Sequence, residues 1–76
     1  MATEMIKSLL EALEVSPDNV PLRLQLGKLM LQEGLSAEAA VQFQAVLERS
    51  YGHEKAQLGL AEAYMALHKY AAASII

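Results

Sequence analysis

Apolar residues recur at intervals of three and four residues along most of the chain, which is the spacing of helices with one buried face. The apolar stripes are formed by Ile6, Leu9, Leu10 and Leu13, by Leu22, Leu26, Leu29 and Met30, by Ala39, Phe43 and Val46, and by Leu60, Tyr64 and Leu67. The sequence lacks the strict alternation of strands and is rich in good helix formers. The pattern therefore predicts an all-α protein with helices over about 3–15, 19–34, 36–50 and 54–67, and the start of a fifth over 70–76.

Capping residues set the predicted helix boundaries. The predicted N-caps, whose side chains accept a hydrogen bond from the first helical turn, are Thr3, Asn19 and Ser36. Gly34 is predicted to end the second helix, because glycine adopts the left-handed conformation without a Cβ penalty. His68 stands one period after Gly34, and histidine tolerates that conformation better than most residues. The fourth helix is therefore predicted to end at His68.

The chain also matches itself at an offset of 34 residues. Leu26-Gly27 is followed one period later by Leu60-Ala61, and Met30 by Tyr64. The first segment fits the same register, where the residues that precede Ala39, Phe43 and Val46 by one period are Met5, Leu9 and Ala12. A fixed period in this range indicates stacked helical units. Such stacks are usually binding surfaces.

This pattern resembles the tetratricopeptide repeat family, whose 34-residue helix–turn–helix unit carries Leu-Gly and an aromatic residue on its first helix and Ala and Phe on its second. The resemblance implies a single domain over 1–76, with a half repeat at 5–19, a full repeat at 20–53 and a truncated repeat at 54–76. It implies antiparallel helical hairpins stacked as a short right-handed α-solenoid. The positions that depart from the family pattern are Arg23, Val46, Tyr51 and Gln57.

The resemblance further implies that the first helix of each unit lines a concave face. The residues that it assigns to this face are Leu24, Lys28, Leu31, Leu58, Glu62 and Met65. We expect an apolar groove that accepts a helix or an extended peptide, with Lys28 and Glu62 as polar guides. The competing interpretation is that these residues are core, covered by a neighbouring repeat or by another copy of the chain. The sequence leaves both interpretations open.

Composition and charge narrow the possible partners. The chain has 76 residues, a net charge of −3, no cysteine and an apolar fraction of 54%. The net charge gives no basic footprint for nucleic acid, and no apolar run is long enough to span a membrane. The N-terminus lacks a signal-peptide pattern, so a cytoplasmic protein is expected. The apolar fraction exceeds what a small compact monomer easily hides, which favours a homodimer.

No catalytic constellation, metal site or cofactor motif is predicted. His53 and His68 are interpreted as helix-boundary residues, since there is no cysteine and no metal-ligand spacing. Gly27 and Gly59 are interpreted as points of close helix approach, because four scattered glycines form no phosphate loop. We therefore expect a non-enzymatic protein–protein interaction module, the N-terminal part of a larger protein, which binds a protein or peptide on its concave face. The alternative is a self-association element in which the apolar stripes of the first and last helices pair between copies.

Overall fold

A computed structural model describes the backbone of residues 2–75 and the side chains of residues 3–68. The four helices of this part of the chain are α1 (Ala2–Val15), α2 (Val20–Gln32), α3 (Ser36–Arg49) and α4 (Glu54–Ile75). The described residues contain no strand, so the predicted all-α class is confirmed. None of the described helices has both the length and the apolar character that crossing a bilayer requires.

Short connections make consecutive helices pack against each other as hairpins. The α2–α3 and α3–α4 pairs share the largest contacts, while α1 packs on α2 and α4 also touches α2. Among the described residues, α2 is the one helix that α1 contacts. The Cα atoms extend over 43 × 32 × 14 Å, so the helices form a thin layered body with α1 at one end and α4 at the other.

The core runs through the middle of this body, where α3 lies between α2 and α4. The predicted stripes of α2 and α3 are confirmed: Leu26 and Met30 are buried, and Leu22 and Leu29 are half-buried. On α3, the buried stripe consists of Ala39, Phe43 and Val46. The α1 stripe is confirmed in part, since Leu10 is exposed. These apolar contacts hold the two central helices, α2 and α3, in fixed positions.

The buried face of α4 differs from the predicted one. We expected the stripe of Leu60, Tyr64 and Leu67, but Tyr64 is 50% exposed and the two leucines are only half-buried. The residues that face the core are instead Ala56, Gly59 and Ala63. The reason is that α4 packs against neighbours on one side only, so its second apolar face remains open.

Asn19 caps α2 as predicted, because its Oδ1 accepts a hydrogen bond of 3.1 Å from the backbone N–H of Leu22. The predictions for Thr3 and Ser36 are wrong. α1 already includes Ala2, so Thr3 lies inside the helix. Ser36 is the first residue of α3, and Leu35 takes the cap position with no side-chain hydrogen bond. The backbone N–H of Ala39 bonds to the carbonyl of Leu35, which draws Ser36 into the first helical turn.

Gly34 ends α2 as predicted, with a φ of 80°. Its N–H donates to the carbonyl of Leu31 at 3.2 Å, and the N–H of Leu35 donates to the carbonyl of Met30 at 2.8 Å. This pair of bonds is the Schellman motif, which satisfies the last carbonyls of the helix. The left-handed glycine thus reverses the chain between α2 and α3.

His68 does not act in the same way, and the predicted helix end there is wrong. α4 continues through His68 to Ile75, and none of the described non-glycine residues has a positive φ. The chain after His68 has neither glycine nor proline, so nothing interrupts the helical hydrogen bonds. The predicted fifth helix over 70–76 is therefore a continuation of α4 as far as residue 75, while Ile76 and the side chains of 69–76 lie outside the described residues.

Candidate functional site

A groove with a volume of about 480 Å³ lies between α2 and α4. Its lining comprises Pro21, Leu24, Gln25, Lys28 and Leu31 of α2, Phe43 of α3, and Lys55, Leu58, Gly59 and Glu62 of α4. Five of the six residues assigned to the concave face by sequence thus lie together. Met65 does not line this groove and is 71% exposed.

The floor of the groove is the ring of Phe43, which lies against two glycines. A Cβ added to Gly27 would lie 2.7 Å from Cζ of Phe43, and one added to Gly59 would lie 2.5 Å from the same atom. Contacts below 3.0 Å mean that the ring would have to shift if either glycine gained a Cβ. The predicted role of both glycines in close helix approach is confirmed. The ring therefore lies in close contact with both α2 and α4.

The walls of the groove are apolar and its rim is charged. Leu24 and Leu31 are half-buried on the α2 side, and Leu58 is 63% exposed on the α4 side. The titratable side chains that line the groove are Lys28, Lys55 and Glu62. Two cations and one anion give this surface a local positive balance in a chain whose net charge is −3. An acidic group on a bound segment is therefore favoured here.

The lining also follows the 34-residue period. The lining residues that lie one period apart are Pro21 and Lys55, Leu24 and Leu58, Gln25 and Gly59, and Lys28 and Glu62. Sequence reasoning found two of these four pairs and missed the other two. Extending the period by three residues toward each N-terminus would have included Pro21 and Lys55, whereas Gln25 and Gly59 lie between the predicted residues. The position of Phe43 beneath the groove was not predicted, because it depends on three helices at once.

Arg23 connects the α2 side of the groove to α3 and to the turn before α2. Its Nη1 donates a hydrogen bond of 2.9 Å to Oε1 of Gln42, a buried residue of α3, and its Nε donates one of 3.0 Å to the carbonyl of Pro17. Arg23 stands where the repeat pattern has a large apolar residue. Here a charged side chain joins α2 to α3 and to the preceding turn, so a polar contact supplies the fixation that apolar packing would give.

The histidines lie outside the groove. His53 is a helix-boundary residue as predicted, since its Nδ1 accepts a hydrogen bond of 3.3 Å from the N–H of Ala56 in the first turn of α4. His68 is exposed within α4. The described side chains form no group of three or more His, Cys, Asp or Glu residues that could hold a metal ion.

Comparison of the chain with protein-family models, with curated proteins and with solved structures found no match. The groove and the exposed helix faces are therefore the features of this chain that bear on its function.

Proposed function

We propose that this chain is a non-catalytic protein-interaction module of the tetratricopeptide repeat type. In this proposal its helical hairpins form a short right-handed solenoid, and the groove between α2 and α4 binds a helix or an extended peptide from a partner protein. The observation that carries the proposal is the groove itself, which combines apolar walls, an aromatic floor and a charged rim. Such a combination is typical of ligand sites in which apolar contact gives affinity and a few polar groups give orientation.

The partner segment contributes an apolar side chain that packs between Leu24 and Leu58, above Phe43. Full burial of an apolar side chain such as valine, leucine or phenylalanine contributes about 1.5–3 kcal/mol to the free energy of binding. An acidic side chain of the same segment lies beside Lys28 and Lys55 and selects its orientation. Because Phe43 is buried beside Gly27 and Gly59, the floor is already in place before the partner binds. A preformed site avoids part of the entropy cost of binding.

The experiment that tests this proposal is selection of 12-residue peptides from a phage-displayed library on the immobilised chain, followed by measurement of Kd in solution. Leu58→Ser removes an apolar wall residue that is 63% exposed, so folding tolerates the change. The matched control is Val41→Ser, because Val41 is 61% exposed on α3 and does not line the groove. We expect Leu58→Ser to weaken binding of a selected peptide by at least about tenfold, which corresponds to about 1.4 kcal/mol.

Chemical-shift mapping with the same peptide locates the site independently of the variants. We expect perturbed amides along the facing sides of α2 and α4, with little change in α1. A library that yields no binder, or a binder that responds equally to Leu58→Ser and Val41→Ser, would contradict the groove as the site.

A further inference from the structure

The helices at the two ends of the molecule expose faces whose counterparts, one 34-residue period away, are covered in the middle of the molecule. We call the outer side of the last helix the α4 end face, which consists of Gln57, Leu60, Ala61 and Tyr64. We call the outer side of the first helix the α1 end face, which consists of Met5, Ser8, Leu9 and Ala12. Within these faces, Tyr64 is 50% exposed and Met5 is 54% exposed, and Leu60 and Leu9 are half-buried. Each face offers apolar surface to a further helix.

The middle of the molecule shows how such faces pair. One period before the α4 end face, the corresponding residues of α2 are Arg23, Leu26, Gly27 and Met30. One period after the α1 end face, the corresponding residues of α3 are Ala39, Gln42, Phe43 and Val46. These two sets belong to the α2–α3 contact, where all of these side chains except that of Arg23 are buried. The α2–α3 pair is therefore a template for joining the two end faces.

We propose that copies of this chain associate head to tail, with the α1 end face of one copy packed on the α4 end face of the next. Residue sizes compensate across the proposed contact. In the template, the large ring of Phe43 meets Gly27; in the proposed contact, the smaller Leu9 meets Ala61. The larger Met5 replaces Ala39, and the smaller Ala12 replaces Val46. Volume is thus redistributed rather than lost, which is the condition for close packing.

The polar positions of the two faces correspond as well. In the template, Arg23 donates a hydrogen bond to Gln42 across the helix pair. The counterparts of these two residues are Gln57 on the α4 end face and Ser8 on the α1 end face, which are an amide and a hydroxyl that can hydrogen-bond to each other. Neither face contains Asp, Glu, Lys or Arg. Glu4 borders the α1 end face, so one carboxylate lies beside the proposed contact.

The α1 end face is also shaped to receive a side chain. It contains a shallow depression of about 510 Å³, lined by Glu4, Met5, Ser8 and Leu9. In the template, Met30 of α2 is buried. Its counterpart Tyr64 is the large side chain that the α4 end face offers to this depression.

The accessible surface of the chain exceeds the value expected for a compact monomer of its mass. Its accessible surface is 5367 Å² for a mass of 8.3 kDa, whereas a compact monomer of that mass exposes roughly 4,600 Å². The excess is on the order of 800 Å², which is about one partner's share of a standard protein interface. Because the contact joins two different faces, each added copy leaves one face of each kind free. A dimer is then the first step of an open series.

The experiment is light scattering behind size exclusion over a dilution series of the 76-residue chain. We expect the average mass to rise with concentration beyond twice 8.3 kDa. Tyr64→Glu disables the α4 end face and Met5→Glu disables the α1 end face, because each places a charge in an apolar contact. Each variant alone is expected to weaken assembly by at least about tenfold. An equimolar mixture of the two retains one intact face of each kind and should form a 1:1 dimer that grows no further.

The control is Val41→Glu, which adds the same charge on α3. Val41 is 61% exposed and lies on neither end face.

A second set of variants changes only exposed polar residues and leaves the core intact. Ser8→Glu combined with Gln57→Lys in one chain should strengthen assembly in low salt, whereas Ser8→Glu combined with Gln57→Glu should weaken it. A monomer at every concentration would overturn the proposal. So would a dimer that Tyr64→Glu abolishes and Met5→Glu leaves unchanged, since that result means that the α4 end face pairs with itself.

Discussion

α2 and α4 occupy corresponding places in the 34-residue period, yet equivalent residues have different surroundings in the two helices. Leu26, Gly27 and Met30 of α2 are buried, whereas Ala61 and Tyr64, one period after Gly27 and Met30, are exposed. The difference follows from neighbours, because α2 lies between α1 and α3 and α4 packs only on the side that faces α3 and α2. The burial of a residue is thus decided by the helices around it and not by its own stripe.

The face of α4 that does pack also has its counterpart in α2. Ala56 and Ala63 are buried on α4, and the residues one period earlier are the half-buried Leu22 and Leu29. Both pairs lie seven residues apart on the helix, and each pair is the side that receives the preceding helix. The packed face of α4 thus carries small residues where the corresponding face of α2 carries leucines. One period therefore encodes two packing faces per helix, of which α4 uses one.

The strongest test of this difference compares the leucines that correspond by period. Leu26→Ala removes a fully buried side chain and is expected to cost about 2–5 kcal/mol. Leu60→Ala removes a half-buried one and is expected to cost about 1 kcal/mol. Urea unfolding followed by circular dichroism measures both. A domain of this size rarely has more than about 3–5 kcal/mol in total, so Leu26→Val serves where Leu26→Ala is unfolded.

Protein concentration is the control for this comparison. At low concentration Leu60 has only its own chain as a neighbour, and the two costs should differ clearly. If Leu60→Ala cost as much as Leu26→Ala under dilute conditions, the α4 end face would be covered within a single chain, and the contrast between α2 and α4 would be wrong.

The sequence predicted several parts of the fold that are set by local chemistry, although the caps at Thr3 and Ser36 were wrong. The helices over α1 to α3, the cap at Asn19 and the left-handed Gly34 depend on neighbouring residues, and all are confirmed. The stripe that includes Tyr64 was wrong because its burial requires a helix on the outer side of α4, which periodicity alone does not supply. The groove likewise combines features that the sequence predicts with features that depend on packing. The 34-residue period identified Leu24 and Leu58, whereas the position of Phe43 at the floor follows only from the packing of three helices.

Arg23 and Gln57 also correspond by period, and their contacts differ. Arg23 donates to Gln42, which is buried, so Arg23→Ala leaves a buried amide without that donor. We expect a cost of about 1–3 kcal/mol. Gln57 is exposed, and Gln57→Ala should change the free energy of unfolding by less than about 0.5 kcal/mol in a dilute sample. Chemical unfolding of both variants measures the contrast.

Gln42→Leu provides the control for the Arg23 variant. In the Arg23→Ala background, this second change removes the unpaired amide and should recover part of the lost stability, since replacing both partners of a buried hydrogen bond by apolar groups is often nearly neutral. A double variant as unstable as the sum of the single ones would mean that Arg23 acts through its hydrogen bond to Pro17 or through its alkyl chain instead.

The smallest expected effect concerns the ends of the two helices. Gly34→Ala forces a Cβ into the left-handed region, and because no atom lies within 4 Å of that Cβ, its cost is purely conformational, about 1 kcal/mol. His68 corresponds by period but lies inside α4 and is exposed. His68→Ala should therefore raise stability by a few tenths of a kcal/mol, up to about 0.7, because alanine has the higher helix propensity. Thermal unfolding of both variants measures whether each substitution raises or lowers the stability. A destabilising His68→Ala would mean that His68 has a role that its exposure on α4 does not account for.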